Sequence, residues 1–222
     1  MTEIAGIYPR IRIEAPGAPE PLLEDVVIEV LQDFFTTTEA WRYSVPSLLD
    51  WTTLVTFPAI TAGVEIPAGT RMKRVDELKY GSDGTSLRPI KFHTRQDLDC
   101  IYSDWEVKEG SSPLAWTNDP TSDSPRIIPI ASADKTGSLQ LRVILVPTTL
   151  TDIPDFFYDE FSDVIRWGAL ARLLKMPERD WTNNALAMYY MGKYDDETKR
   201  AKSRAKAEFG QPNQRIMAYG GI

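Results

Sequence analysis

The sequence predicts an α+β fold: a helical bundle of one N-terminal and two C-terminal helices, with an antiparallel β-sheet or small barrel inserted between them. Three observations carry this. Apolar residues recur at close to 3.6-residue spacing over residues 22–41, 157–171 and 186–209, the period of an amphipathic helix. Leu139, Leu141, Val143 and Leu145 alternate with Gln140, Arg142 and Ile144, the two-residue period of a strand. Residues 45–150 consist of short Thr- and aromatic-rich runs broken by Gly, Pro, Ser and Asp, the pattern of strands and turns.

Taken in order, Pro9, Pro16, Pro19 and Pro21 with Gly6 and Gly17 predict an extended N-terminal arm over residues 1–20, with a short strand at Tyr8–Ile13. Pro21 is tolerated in the first turn of a helix. Leu22, Val26, Val30, Phe34 and Trp41 mark that helix, and Leu23, Val27 and Leu31 widen its stripe. Glu20, Glu24 and Asp25 suit the positive end of its dipole, and Pro46 ends it near residues 41–44. Residues 21–44 plus 151–210 then form a helical domain, and 45–150 the β-rich insert. Within the insert, strands are expected at Trp51–Phe57, Arg71–Tyr80, Leu87–His93, Leu98–Val107 and Leu139–Val146, with Gly81–Gly84 a hairpin turn. Arg126–Ala131 contains a proline and reads as an edge strand; Glu109–Ser124 reads as a loop.

The helix from Asp155 carries Phe157, Phe161, Val164, Ile165, Gly168 and Ala171 on one face and stops at Pro177. Gly168 costs about 1 kcal/mol in a helix interior relative to Ala, so it is expected where another element packs closely. Thr182 is the expected N-cap of the last helix, with Trp181 packed on Leu186 as a hydrophobic staple. Leu186, Tyr190, Tyr194, Ala201, Ala205 and Phe209 form its stripe, Gly210 its C-terminal cap, and residues 211–222 a tail.

The 222 residues are enough for a real core, and no apolar run approaches the length of a transmembrane helix. The N-terminus has no basic segment followed by an apolar run, so no signal peptide is expected. Cys100 is the only cysteine, which excludes an intrachain disulfide and fits synthesis in a reducing cytoplasm. Net charge is −7, unevenly spread. Residues 1–60 hold nine acids and three bases, 61–160 sixteen and eleven, and 161–222 seven and eleven. An acidic chain is a poor nucleic-acid binder; a basic C-terminus against an acidic remainder points to subunit or partner contacts.

No catalytic, cofactor-binding or metal-binding residues emerge. His93 and Cys100 are single and lie across a predicted strand break, and Cys100 reads as core. Zinc needs more ligands. Neither a G-x-S-x-G elbow nor a phosphate loop is present. Asp97, Asp99 and Asp104, and Asp119 with Asp123, lack the calcium-loop pattern and read as solvated carboxylates. Among 32 acids, nothing singles out a hydrolytic pair. Trp116, in a loop rich in Pro, Asp and Ser, is expected as an exposed interface anchor, with folding back into a core as the alternative. It joins Lys199, Arg200, Lys202, Arg204 and Lys206 of the basic last helix as candidate subunit-interface residues.

The C-terminal third has an order of its own: Ile153-Pro154-Asp155, then Gly168–Leu174 (GALARLL), Pro177, Trp181-Thr182-Asn183, Ala185-Leu186-Ala187, Tyr190, Tyr194 and the basic helix Lys199–Lys206. This order resembles the C-terminal half of head-to-tail adaptor (connector) proteins of short-tailed bacteriophages, over about seventy residues; the remainder matches in layout, except for the proline-rich arm. The resemblance implies a virion protein made in the bacterial host cytoplasm. Its expected state is a homo-oligomeric ring, usually a dodecamer, that joins the portal to the tail nozzle or tube. DNA would pass its lumen without specific binding, and no membrane would be involved. Arg215, Ile216, Met217 and Tyr219 of the tail become candidate portal contacts. The competing readings are another phage tail or neck protein of stopper, tube or baseplate type, a carboxylate-dependent hydrolase, and a cellular interaction module. The strong terminal helices argue against a tube protein.

Overall fold

The computed structural model describes residues 4–46, 48–50, 66–82, 86–102, 104–119, 124–131, 137–149 and 153–209. The fold is α+β, as expected. Its helices, after a 3-10 turn at Ile4–Ile7, are α1 (Tyr8–Arg12), α2 (Glu20–Thr38), α3 (Arg95–Ile101), α4 (Asp155–Leu173) and α5 (Asn184–Phe209). Its strands are β1 (Arg42–Ser44), β2 (Leu49–Asp50), β3 (Thr70–Gly81), β4 (Arg88–Phe92), β5 (Glu109–Gly110), β6 (Ala115–Asp119), β7 (Ser124–Ile128), β8 (Ile130–Ala131) and β9 (Ser138–Pro147). Two compact units result: a helical unit of Ile4–Ala40 with the chain from Asp155, and a β unit of Trp41–Pro154.

In the helical unit, α2 starts after Pro19 and carries Pro21 in its first turn, where the missing N–H costs nothing. It ends at Thr38, earlier than residues 41–44, because Glu39 turns left-handed at φ 55° and returns its N–H to the Phe35 carbonyl. The expected extended arm is corrected: residues 4–12 are helical, and no strand forms at Tyr8–Ile13. Ile7, Ile11, Ala15 and Ala18 are buried; this near-helical spacing was hidden by the prolines, and Pro9 sits in the first turn of α1. α2 buries Leu23, Val26, Val27, Val30, Leu31, Phe34 and Phe35. Phe34 meets Phe161 at 5.1 Å between ring centroids, and Phe35 meets Phe157 edge-on at 4.6 Å.

The turn from α4 to α5 is held by Thr182, whose hydroxyl donates to the Met176 carbonyl at 2.6 Å and accepts from the Arg179 N–H. Thr182 is therefore a turn residue. The N-cap is Asn183, whose side-chain oxygen accepts from the Leu186 N–H at 3.1 Å. The buried stripe of α5 is Ala187, Tyr190, Tyr194, Thr198, Ala201 and Ala205, so Leu186 lies only at its edge. Gly210 and the side chain of Phe209 fall outside the described residues.

In the β unit the strand order is β1-β9-β3-β4-β6-β7, with β2 also on β9. β1 and β2 lie in line along one edge of β9, interrupted at Pro46. Trp41, expected at the end of the first helix, instead enters this unit; it is buried, and its carbonyl accepts from the Leu145 N–H. The alternation in β9 holds from Ser138 to Val143, after which Val143–Pro147 are buried on both faces. The pairing of β3 with β9 contains two register shifts, between Met72 and Arg74 and between Val75 and Glu77. The β unit was expected to be antiparallel, but among the described residues two pairs are parallel: β5 with β8 in a separate two-stranded sheet, and β4 with β6 in the main sheet, the latter joined by a long crossover that contains α3. Leu98–Val107 is thus not a strand. Thr94 and Asp97 form a reciprocal capping box that starts α3, and Leu98 packs with Trp105, Ala115 and Ile128. Trp51–Phe57 lies outside the described residues.

Asp76 is the extra residue at the second register shift. It accepts from Arg142 Nε at 2.8 Å and Arg42 Nη1 at 3.2 Å, while Arg142 also reaches Glu77 at 3.2 Å. The Asp76 and Arg42 side chains are only 10% and 9% exposed, so removing the shared carboxylate leaves poorly hydrated guanidinium groups. Asp76→Ala is expected to cost about 3 kcal/mol, measured by denaturant unfolding. In the helical unit, a Cβ added at Gly168 would lie 2.6 Å from Val30 Cγ1 and 2.9 Å from the Tyr194 ring. Gly168→Leu is therefore expected to lower stability by about 1–3 kcal/mol; an unchanged melting temperature would contradict this packing.

Candidate functional site

The surface that the sequence singles out is the outward side of α5, and its orientation is set by what the inward side grips. Tyr194 donates to Asp33 at 2.9 Å, and Arg172 reaches the same carboxylate oxygen at 3.1 Å. The Arg172 guanidinium also lies 5.9 Å from the Tyr194 ring centre. Tyr190 donates to Glu14. These bonds tie α5 to α2, α4 and the α1–α2 connection at fixed rotation. Burial, then the neighbouring Asp33 carboxylate, push the Tyr194 phenol well above its ordinary range. Burial and the Glu14 hydrogen bond push Tyr190 up to about 12. Tyr8 is likewise pushed up to about 12, by burial and then by Glu24 and Glu20.

With that face turned in, Lys199, Arg200, Lys202, Arg204 and Lys206 are all exposed. They are not equivalent. Arg204 pairs with Glu160 of α4, Arg200 with Glu197 at 2.6 Å, and Lys199 with Asp196 at 3.9 Å. Lys202 and Lys206 make no ion pair among the described residues. One helical stripe, residues 188/189, 192, 195/196, 199, 202 and 206, thus runs from apolar through acidic to basic. Its apolar end was missed in sequence reading: Met188 is 70% and Tyr189 54% exposed. The available signal was that Met188 and Tyr189 sit opposite the buried stripe. Lys193 covers the Tyr189 ring at 4.7 Å and the Trp167 ring at 5.0 Å.

Trp116 does not belong to this surface. It lies in β6, is 3% exposed, donates Nε1–H to the Ile90 carbonyl at 3.2 Å and meets Phe92 edge-on. The exposed-anchor expectation is therefore corrected to the folded-back alternative. Arg215, Ile216, Met217 and Tyr219 lie outside the described residues.

Cys100 is exposed on α3 rather than buried in a strand. Asp97 accepts from the Thr94 hydroxyl and N–H, which hold its carboxyl below the usual range, and Asp99 accepts from Trp105 Nε1 at 2.7 Å. Both carboxylates are engaged in local structure. An open cleft of about 360 Å³ lies beside them, lined by Asp99, Tyr102, Asp104, Trp105, Glu106 and Val107. Among the described residues no three His, Cys, Asp or Glu side chains are placed to hold a metal, and no helix is long and apolar enough to cross a membrane. Asp119 and Asp123 are not among the described side chains.

Comparison with protein-family models and with curated proteins returned no match.

The tyrosine grips have a pH signature. Their folded values lie above the unfolded value of about 10, so their stabilisation is complete below about pH 10 and is lost as pH rises through the folded values. Helical circular dichroism of the full chain is expected to show a melting temperature that falls steeply between about pH 10 and 12. Tyr194→Phe should cost about 1–2 kcal/mol at neutral pH and flatten that alkaline slope.

Proposed function

We propose that this chain is a structural virion protein, a head-to-tail adaptor of the short-tailed phage type. In this reading it assembles as a homo-oligomeric ring between the portal and the tail nozzle or tube, around the DNA passage, and performs no catalysis. The observation that carries the reading is the α4–α5 hairpin. The residues through which the sequence resembles adaptors are those that close it: Gly168 against Val30 and Tyr194, Thr182 and Asn183 in the turn, and Ala187, Tyr190 and Tyr194 on the buried face.

The charge distribution supports ring formation. α5 presents Lys199, Lys202 and Lys206 outward, while α2 presents Glu20, Glu24, Asp25 and Glu29. Different surfaces on one chain with opposite charge suit a heterologous contact, which closes a ring when the rotation per subunit divides a full turn. A net charge of −7 disfavours adhesion of passing DNA phosphates. The tail, with Ile216, Met217 and Tyr219, supplies apolar side chains for a partner, here the portal.

The test is co-sedimentation of the full chain with a portal ring from the same source. Reversing Lys199, Lys202 and Lys206 to Glu is expected to abolish ring formation on the portal, and reversing Glu24, Asp25 and Glu29 to Lys in the same chain to restore it. Unchanged assembly of the lysine-reversed chain would overturn the contact; absence of any portal binding by the unaltered chain would overturn the function.

A further inference from the structure

We infer that the exposed apolar end of α5, at Met188, Tyr189 and Gly192, is covered by Ile13 of a second copy of this chain. The inference rests on the ring reading and adds an apolar seat to its subunit contact. Ile13, Met188 and Tyr189 are 78%, 70% and 54% exposed, and they are the large apolar side chains that the helical unit leaves outside its core among the described residues. Met and Tyr are residue types that interfaces favour. Gly192 lies in the same outward stripe, and a Cβ built on it would meet nothing within 4 Å. A glycine weakens a helix interior relative to alanine. Gly168 has a packing reason within the chain, since its Cβ would strike Val30 and Tyr194; Gly192 has none among the described residues. Its missing side chain leaves a shallow seat, one turn along the helix from Met188 and Tyr189, that suits one branched apolar side chain.

The order of character along the two surfaces selects the occupant. On α5, Asp195 and Asp196 follow the seat by one turn, and Lys199 and Lys202 follow by about two and three turns, all of them exposed. Beside Ile13, Arg12 reaches Glu20 of α2 at 3.2 Å, and Glu24 lies one turn further along α2. One surface thus reads apolar, acidic, basic; the other reads apolar, basic, acidic. Laid side by side, Ile13 meets the seat, Arg12 meets Asp195 and Asp196, and Glu20 and Glu24 meet Lys199 and Lys202. Exposed charges contribute little each but set partner and register, while the covered apolar area holds the contact.

Two different surfaces are engaged, so the contact propagates from copy to copy. At the angular step of an α-helix, Glu20 and Glu24 lie about 140° and 180° around α2 from Asp33, the residue that grips Tyr194 of α5. These acids therefore face away from α5 of their own chain. Glu14 bonds Tyr190 within one chain, yet Ile13 and Tyr189 stay exposed, so neither covers the other.

The experiment uses the full chain, free and mixed with a portal ring from the same source. Ile13→Cys and Met188→Cys are placed together in a Cys100→Ser background, oxidised mildly, and separated under denaturing, non-reducing conditions. Oxidation traps the contact even where the two substitutions weaken it. The expected result is a ladder of covalent oligomers that climbs beyond the dimer. Gly192→Leu, added to that chain, is expected to raise the helical melting temperature by a few degrees and to reduce the ladder by about tenfold or more. A ladder unchanged by Gly192→Leu would overturn the seat. Covalent dimers alone would mean a two-fold pair, and a faster-migrating monomer would mean that positions 13 and 188 meet within one chain; either result overturns the inference. So does an absence of cross-links in both samples. Rings of the unaltered chain on the portal would then leave the adaptor reading standing, whereas a ladder from a chain that ignores the portal would keep this contact and remove that reading.

Discussion

The helical unit depends on one aromatic cluster. Phe34 and Phe35 near the end of α2 and Phe157 and Phe161 at the start of α4 meet with ring centroids 4.6 to 5.8 Å apart, and such pairs add to the burial they already provide. The whole β unit lies between these two pairs in sequence. The cluster therefore cannot form by local folding; it carries the closure cost of a long loop. Pairing of β1 with β9 inside the β unit shortens that loop, since it sets Trp41 beside Leu145. Everything that α5 presents outward follows from the α2–α4 platform so formed, because Asp33 and Gly168 on that platform fix how Tyr194, and with it the helix, is rotated.

Much of this was legible because periodicity and breakers agreed. Pro21 opens α2, the apolar residues around Phe157 mark the inward face of α4, and the alternation from Leu139 to Val143 marks β9. What was hidden has physical reasons. In the first twenty residues, proline density suggested an extended arm, yet proline is compatible with the opening turn of a helix, and Ile7, Ile11, Ala15 and Ala18 supplied a buried period. Around Leu98, β-type aromatics outweighed the Thr94–Asp97 capping box. Trp116 looked exposed because its segment is rich in Pro, Ser and Asp. It is buried because β6 pairs in parallel with β4, a non-local partnership that leaves no mark on nearby residues.

The candidate surface was half legible. The lysine and arginine residues of α5 could be named from sequence, since basic residues opposite an apolar stripe face solvent. Which of them are free could not, because Arg204 finds its partner on α4. Met188 and Tyr189 were not singled out, although the stripe through Tyr190 and Tyr194, read from the sequence and buried in the structure, leaves them on the outward side. The result is a helix with structural bonds on one side and, on the other, a graded sequence of apolar, acidic and basic character.

The most direct measurement is the mass of the full chain by light scattering, coupled to negative-stain imaging, alone and mixed with a portal ring from the same source. Closed annular particles, free or stacked coaxially on the portal, are the predicted result. A chain that stays monomeric and leaves the portal bare at saturating concentration would contradict the adaptor proposal.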